Sequence, residues 1–345
     1  MIVKSNNEIL LSIKPVYVYK KEDKLRSYLY LSDSLEQRIN GGKRTQGLFK
    51  HSYRKIEGNW CILNNEGEKV IEVSLPEFAN EYEYLPLITV VTVVYNGDKY
   101  LEKTIESVLG QTYPNFEYII IDGGSSDRTL EIIQKYNDKI DYWVSEPDNG
   151  IYEAMNKGLS LAAGSWINFM NAGDSFYSFD TLKKINLPEF DFDIVYGSIM
   201  AFDEKTGIRG KKPAKQWELD SFIKGMPIRH QGAFVSLAAF KKEGIFNLKY
   251  KVSGDYEWFT RAVIHGLKGL RVETIVADFM LDGISGLGYR SKIENLQIAF
   301  EYFNYKGKLF GIFLCIHRCI KLFVIRNLIS KSIHKVYRQI KFEQF

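Results

Sequence analysis

The feature that most constrains this chain is the run LITVVTVVY at 87–95, β-branched almost throughout and without polar alternation. A strand with one wet face alternates; a strand covered on both faces does not, and such strands belong to parallel sheets flanked by helices. The next eighty residues keep the same rhythm. GDKYLEKTIESVLGQT (97–112) sets Leu101, Ile105, Val108 and Leu109 on one helical face, and Gly110 supplies a stop. FEYIIIDGGSSD (116–127) is a second buried strand, after which Ser126 and Asp127 can cap the helix RTLEIIQKYN. IDYWVSE (140–146) predicts a third strand, 150–164 a helix, and SWINFMNAGD (165–174) a fourth strand. Alternation of this kind predicts an open, mostly parallel sheet, in which ligands bind beyond the carboxyl ends of the strands. Asp122, Glu146 and Asp174 each stand just past such an end. Any one of them alone reads sooner as a turn residue; three at corresponding places point to a shared, acid-edged crevice.

Length and charge narrow the class. With 345 residues and 45% hydrophobic content the chain can build a sizeable core. The net charge of +4 is unevenly placed: from Lys306 onward there are nine Lys/Arg and one acid, Glu343, so the body before it is mildly acidic. The body is therefore not a nucleic-acid surface, and the basic element is the tail. Cys61, Cys315 and Cys319 lack a C-x-x-C pair and read as apolar fillers suited to a reducing cytoplasm. The N-terminal residues lack the apolar core of a signal peptide, and no run of about 18 apolar residues predicts a membrane-spanning helix. Residues 1–85 read as an N-terminal extension of unknown role, with a boundary near Pro86; within it 39–50 (INGGKRTQGLFK) reads as a basic glycine-bearing loop and 68–75 as a strand.

Two long segments, 88–133 and 145–174, together with 225–235 (GMPIRHQGAFV) and 253–266 (SGDYEWFTRAVIHG), resemble glycosyltransferase family 2. The likeness implies a GT-A, Rossmann-like α/β fold over 86–285, with a nucleotide-sugar half (86–175) and an acceptor half (176–285), followed by basic amphipathic helices in 286–345. It implies inverting transfer of a hexosyl or N-acetylhexosaminyl group from a nucleotide-sugar donor, with Mg2+ or Mn2+. By that likeness Tyr95 and Asn96 close the first strand at the nucleoside, Asp122 and Gly123 border base and ribose, and Asp148, Gly150 and Asn156 line the nucleotide pocket. Asp174 matches the last carboxylate of the family's metal-binding D-x-D. The sequence departs from the family's pattern twice, with Gly123 where a second acid is common and Asn171 where the D-x-D begins with an acid.

The chemistry accounts for these residue types. A departing nucleoside diphosphate gains negative charge, which a hard dication offsets; Mg2+ keeps several waters, so one carboxylate plus the diphosphate can hold it. An acceptor hydroxyl needs a base. Asp255 lies in the first turn of a helix that Ser253 can cap, a place acids also favour through the helix dipole alone; with the family likeness it is the expected general base, and Glu257 the reserve. His230 reads as a contact to the diphosphate or metal or as a structural histidine, Arg229 as a phosphate neutraliser or an exposed cation, and Asn171 as a donor-side oxygen or amide. RGKKP (209–213) reads as a solvated loop or a lid over the diphosphate.

The tail, 306–342, intersperses cations with Leu, Ile and Phe and reads as one or two amphipathic helices, either packed on the body or lying on an anionic membrane. The family likeness favours the membrane and an oligosaccharide or lipid-linked acceptor, in bacterial-type surface polysaccharide synthesis at the inner face of the cell membrane. Two rivals stand beside this expectation. A sugar nucleotidyltransferase would want a glycine-rich phosphate loop with a basic residue after the first strand, and VVYNGDKYL is not one. A non-catalytic sugar-nucleotide-binding subunit would survive loss of Asp174.

Overall fold

The computed structural model describes residues 2–4, 8–31, 38–189, 191–204, 207–281 and 289–327; the tail beyond 327, where much of the predicted basic region falls, lies outside them. Before Pro86 come β1 (Ile2–Lys4), β2 (Glu8–Leu10), β3 (Ile39–Gly41), β4 (Tyr53–Ile56), β5 (Asn59–Leu63), β6 (Lys69–Glu72) and β7 (Tyr84–Leu85). The segment 86–176 comes next as β8 (Ile88–Val94), α1 (Leu101–Leu109), β9 (Phe116–Asp122), α2 (Thr129–Lys135), β10 (Tyr142–Ser145), α3 (Ile151–Leu161), β11 (Trp166–Phe169) and β12 (Ser175–Phe176). The rest is α4 (Thr181–Ile185), β13 (Ile194–Phe202), β14 (Arg209–Lys212), α5 (Leu219–Ile223), β15 (Ala233–Ser236), α6 (Leu237–Glu243), α7 (Gly254–Ile264), β16 (Gly269–Met280), α8 (Arg290–Tyr302) and α9 (Tyr305–Asn327).

One ten-stranded sheet organises the α/β body, in the order β12-β16-β13-β15-β11-β8-β9-β10-β3, with β14 beside β13. Strands β11, β8, β9 and β10 run parallel, as their unbroken apolar runs predict. All seven residues of β8 are buried. Along it the side chains divide by the two-residue period of a strand: Val91 and Val93 join a core with Met155 and Leu159 of α3, while Ile88, Val90 and Val94 join a second core with Leu101, Ile105 and Val108 of α1. The rest of the sheet is mixed. β15 lies antiparallel between β11 and β13, and β16 returns parallel to β13. RGKKP is not a loop or lid: its first four residues form β14, paired with β13, and Arg209 is bonded to Asp278.

Residues before Pro86 are built into the same body, so the boundary there is a change of chain pattern and not a break in packing. The segment 39–50 is not a loop on the surface. It supplies β3, which pairs antiparallel with β10 as an edge strand, and a short 3₁₀ turn whose Lys43 and Arg44 are buried. The Arg44 guanidinium donates to Glu117 on β9 and to the Leu161 carbonyl ending α3 (2.8 Å). Glu117 also accepts from Thr89 of β8 and from the Ala163 amide (2.6 Å), so the buried ion pair is fully enclosed by hydrogen bonds. Removing one partner of such a pair costs about 3–5 kcal/mol, because the other charge is left alone in the core. Lys43 and Lys50 reach Glu8 at 2.5 and 2.6 Å, and Lys50 reaches Asp141 at 3.0 Å. Burial would raise the Glu8 carboxyl, but Lys50 and Lys43 hold it down at about 2. Tyr53, Trp60 and Ile62 of the four-stranded sheet β6-β5-β4-β7 complete the α1 face of the core.

Candidate active site

The carboxyl ends of β8, β9, β10 and β11 form one rim. At the end of β8, Tyr95 is exposed and Asn96 takes positive φ (48°), its side-chain oxygen accepting from the Ser126 amide at 2.9 Å. Asp122, ending β9, is fully buried; it accepts from Ser125 and from the Ser145 hydroxyl (2.6 Å), and so fixes the glycine loop instead of offering a free charge. Gly123 explains itself by what covers it: a Cβ there would fall 2.6 Å from the Asp148 carboxylate. Asp148 in turn accepts from the Gly150 amide (2.8 Å) at the start of α3, and burial pushes its carboxyl up.

Two of the expected rim residues are committed elsewhere. Glu146 is buried between Arg38 and Lys157 (2.7 Å) and is a structural ion pair, not a ligand-facing acid. Asn156 is not brought to the crevice with its amide free. Its oxygen accepts from the Phe246 amide and its nitrogen donates to the Phe246 carbonyl, both at 2.9 Å, which clamps the loop after α6 onto α3.

The turn after β11 gathers the remaining groups. Gly173 there has φ of 102°, a conformation other residues adopt only with strain, and it swings Asp174 back under Asn171. The Asp174 carboxylate is almost wholly buried. It accepts from the Met280 amide (3.0 Å) and from the Gln231 side chain (2.7 Å). Burial dominates its protonation and lifts its pKa to about 6. Asn171 contacts His230 at 3.1 Å, and the other His230 nitrogen contacts Asp255 at 2.9 Å. Asp255, in the first turn of α7, also accepts from the Tyr152 hydroxyl (3.0 Å) on α3. Burial would raise the Asp255 carboxyl; the hydrogen bond and charge of His230, then Tyr152 and Arg229, hold it below the usual range.

A single hydrogen-bonded chain, Tyr152–Asp255–His230–Asn171, thus joins both halves of the sheet, with Asp174 and Gln231 beside it. The reserve acid is not part of this chain. Glu257 sits two residues along α7, hence on another face, bonded to Arg261 (2.9 Å) and Tyr302 (2.6 Å). Arg229 is exposed at the mouth. Sequence reasoning missed Tyr152 and the role of Gln231; the one signal available was a tyrosine and a glutamine interrupting otherwise apolar faces.

The oxygen-rich corner can accept a cation. Among the described residues no three His, Cys, Asp or Glu converge as a preformed cluster. Yet Asn171 Oδ1 and Gln231 Oε1 are buried without hydrogen-bond partners beside the Asp174 carboxylate. One carboxylate, neutral oxygens and an imidazole nitrogen suit a hard or borderline dication that keeps waters or takes substrate oxygens.

Comparison with known proteins bears on what this corner serves. The family model described as glycosyl transferase family 2 matches residues 89–242. A PGL/p-HBAD biosynthesis glycosyltransferase of Mycobacterium tuberculosis is 31% identical over 182 residues, covering 51% of this chain and 69% of that protein. The chain belongs to glycosyltransferase family 2. An uncharacterized glycosyltransferase of Rickettsia typhi is likewise 31% identical to this glycosyltransferase, over 56% of this chain and 62% of the relative. Among solved structures, S. aureus TarS in complex with UDP-GlcNAc aligns with a TM-score of 0.50 at 18% identity, over 62% of this chain and 66% of that one. A mannosyltransferase from Pyrobaculum calidifontis in complex with GDP-Man and Mn2+ aligns with a TM-score of 0.51 at 14% identity, over 76% and 81%. These two establish the GT-A fold. Membership also separates this glycosyltransferase from the sugar nucleotidyltransferases considered on sequence.

Proposed function

We propose that this glycosyltransferase moves a hexosyl or N-acetylhexosaminyl group, with inversion, from a nucleotide-sugar to an oligosaccharide carried on a lipid. The carrying observation is the chain that places Asp255 and His230 against Asn171 and the Asp174 corner. Such an arrangement sets an acceptor-side base opposite a donor-side diphosphate site. The acceptor oxygen bonds to the anomeric carbon as the carbon–phosphate oxygen bond breaks. The acceptor proton passes to the Asp255–His230 pair, and the diphosphate leaves with the bonding electrons. His230 holds Asp255 as an oriented carboxylate, and Tyr152 fixes its second oxygen. Mg2+ or Mn2+ held by Asp174, with Asn171, Gln231 or His230, would offset charge on the departing diphosphate. Tyr95, Asn96, Gly123 and Asp148 would frame the nucleoside, and Arg229 would offset phosphate charge at the mouth. A thermal-shift screen of UDP- and GDP-sugars with and without Mn2+ tests the reading. One donor is expected to raise the melting temperature, and more so with the metal; no response to any of them would refute it.

The lipid half of the proposal rests on α9. No helix among the described residues is long and apolar enough to cross a membrane. Instead α9 packs on α8 and leaves Leu309, Phe313, Ile316 and Ile320 about half exposed, at spacings of four, three and four. An apolar stripe on a helix with five cations and no acid is complementary to an anionic bilayer surface. Phe313→Asp with Ile320→Asp is expected to weaken sedimentation with phosphatidylglycerol vesicles by roughly tenfold or more. Unchanged sedimentation would place α9 against something other than lipid.

A further inference from the structure

Beside the catalytic chain lies a second feature that it does not use. Helices α8 and α9 and the end of α5 enclose a small open cleft. Its walls are apolar, from Ile223, Leu296, Phe303 and Leu314, but Lys292 and Arg318 stand in it as well. Neither cation has a carboxylate partner among the described residues: Lys292 donates to the Ser291 hydroxyl (2.8 Å) and Arg318 to the Lys224 carbonyl (3.2 Å). Burial and repulsion from Arg318 and Arg229 push the Lys292 ammonium down. Two cations facing one cleft without a carboxylate are an electrostatic cost unless an anion arrives.

We infer that this cleft binds a lipid-borne phosphate, its apolar walls taking the first part of the chain and Lys292 and Arg318 the phosphate oxygens. The position argues for it: the cleft is lined by Gly311, Leu314 and Arg318 of α9, the helix with the exposed apolar stripe, and by Tyr256 of α7, the residue next to Asp255. Guanidinium and ammonium groups in a partly dry cleft bind phosphate through charge-assisted hydrogen bonds. The inference rests on the lipid-linked acceptor reading.

The test uses the full chain and geranyl phosphate as probe, by calorimetry. Lys292→Gln with Arg318→Gln is expected to weaken binding about tenfold or more, with geraniol not bound by either protein. The nucleotide that binds wild type should bind the variant equally, which shows the variant folded; Arg318→Lys should keep most of the affinity. Equal affinity of wild type and double variant for geranyl phosphate, or none in wild type, overturns the inference. A raised KM for a prenyl-phosphate-linked acceptor with an unchanged donor KM puts the phosphate on the acceptor. Loss of phosphatidylglycerol binding with unchanged acceptor KM puts it on a membrane headgroup, and either result upholds a lipid phosphate site. Full-rate transfer to a lipid-free oligosaccharide, with no gain from a lipid phosphate, would sink the lipid-linked acceptor reading alone, since the calorimetric comparison still decides on the cleft.

Discussion

Asp174→Asn is expected to abolish most sugar transfer while making the ligand-free protein more stable. The two effects share one cause. The Asp174 carboxylate is buried, and its pKa of about 6 against an ordinary 3.8 measures how poorly the folded site tolerates its charge. That difference corresponds to about 3 kcal/mol of stability withheld at neutral pH. The sign comes from proton counting. Between about pH 4 and 6 the folded protein binds more protons here than the unfolded chain, so the contribution of this group to stability falls as pH rises and stays low above pH 6. An asparagine fits without loss: its oxygen accepts from Met280, and its amide donates to Gln231 Oε1, which now lacks a partner, once that side chain flips. Turnover should fall about 10²–10³-fold, the usual result of losing one well-placed electrostatic group. Thermal melts across about pH 4–8 check the first effect: the gap between variant and wild type should open between about pH 4 and 6 and close when Mn2+ and donor are added to wild type. A variant less stable than wild type at neutral pH would show that the carboxylate is not under strain.

Asp255→Asn should reduce kcat by about 10²–10⁴-fold, the range for a general base, with donor binding unchanged. The fold should survive. Tyr152 still finds an acceptor in the amide oxygen, and His230 can turn its tautomer round, placing its proton toward Asn171, whose Oδ1 has no partner. Because His230 and its neighbours hold Asp255 below the ordinary carboxylate range, it is ionised from mildly acidic to basic pH. The acid limb of the rate should therefore track Asp174, at about pH 6, and move to lower pH as Mn2+ is raised. Measuring kcat and donor affinity separately decides between roles: equal loss in donor affinity and kcat would make Asp255 a donor-site support and remove it as base.

The nucleotide half was legible because burial on both faces leaves an unmistakable mark: 88–94 and 116–122 can be little else than central strands. Asp174, His230 and Asp255 were singled out through family likeness, and the structure brings them to one corner with Tyr152 and Gln231, whose hydrogen bonds span 103 and 57 residues of chain. What escaped was what contradicts local polarity. Arg44 and Lys43 look like solvent residues in KRTQ, and their burial depends on Glu117, Glu8 and Asp141 from distant segments. Asn156 and Glu146 stand where a ligand contact would be, and lack that role because a remote peptide and two cations claim them. Periodicity reports how wet a face is; it carries no record of which distant group answers a buried charge.

Strand β3 gives the N-terminal segment a protective meaning. Without it, β10 would present a row of unsatisfied amides and carbonyls along the rim of an aromatic-bearing strand, an invitation to neighbouring molecules to stack edge to edge. The residues that the family model leaves unmatched at the front of the chain thus act as a selvage: they keep the woven part from catching on its own copies.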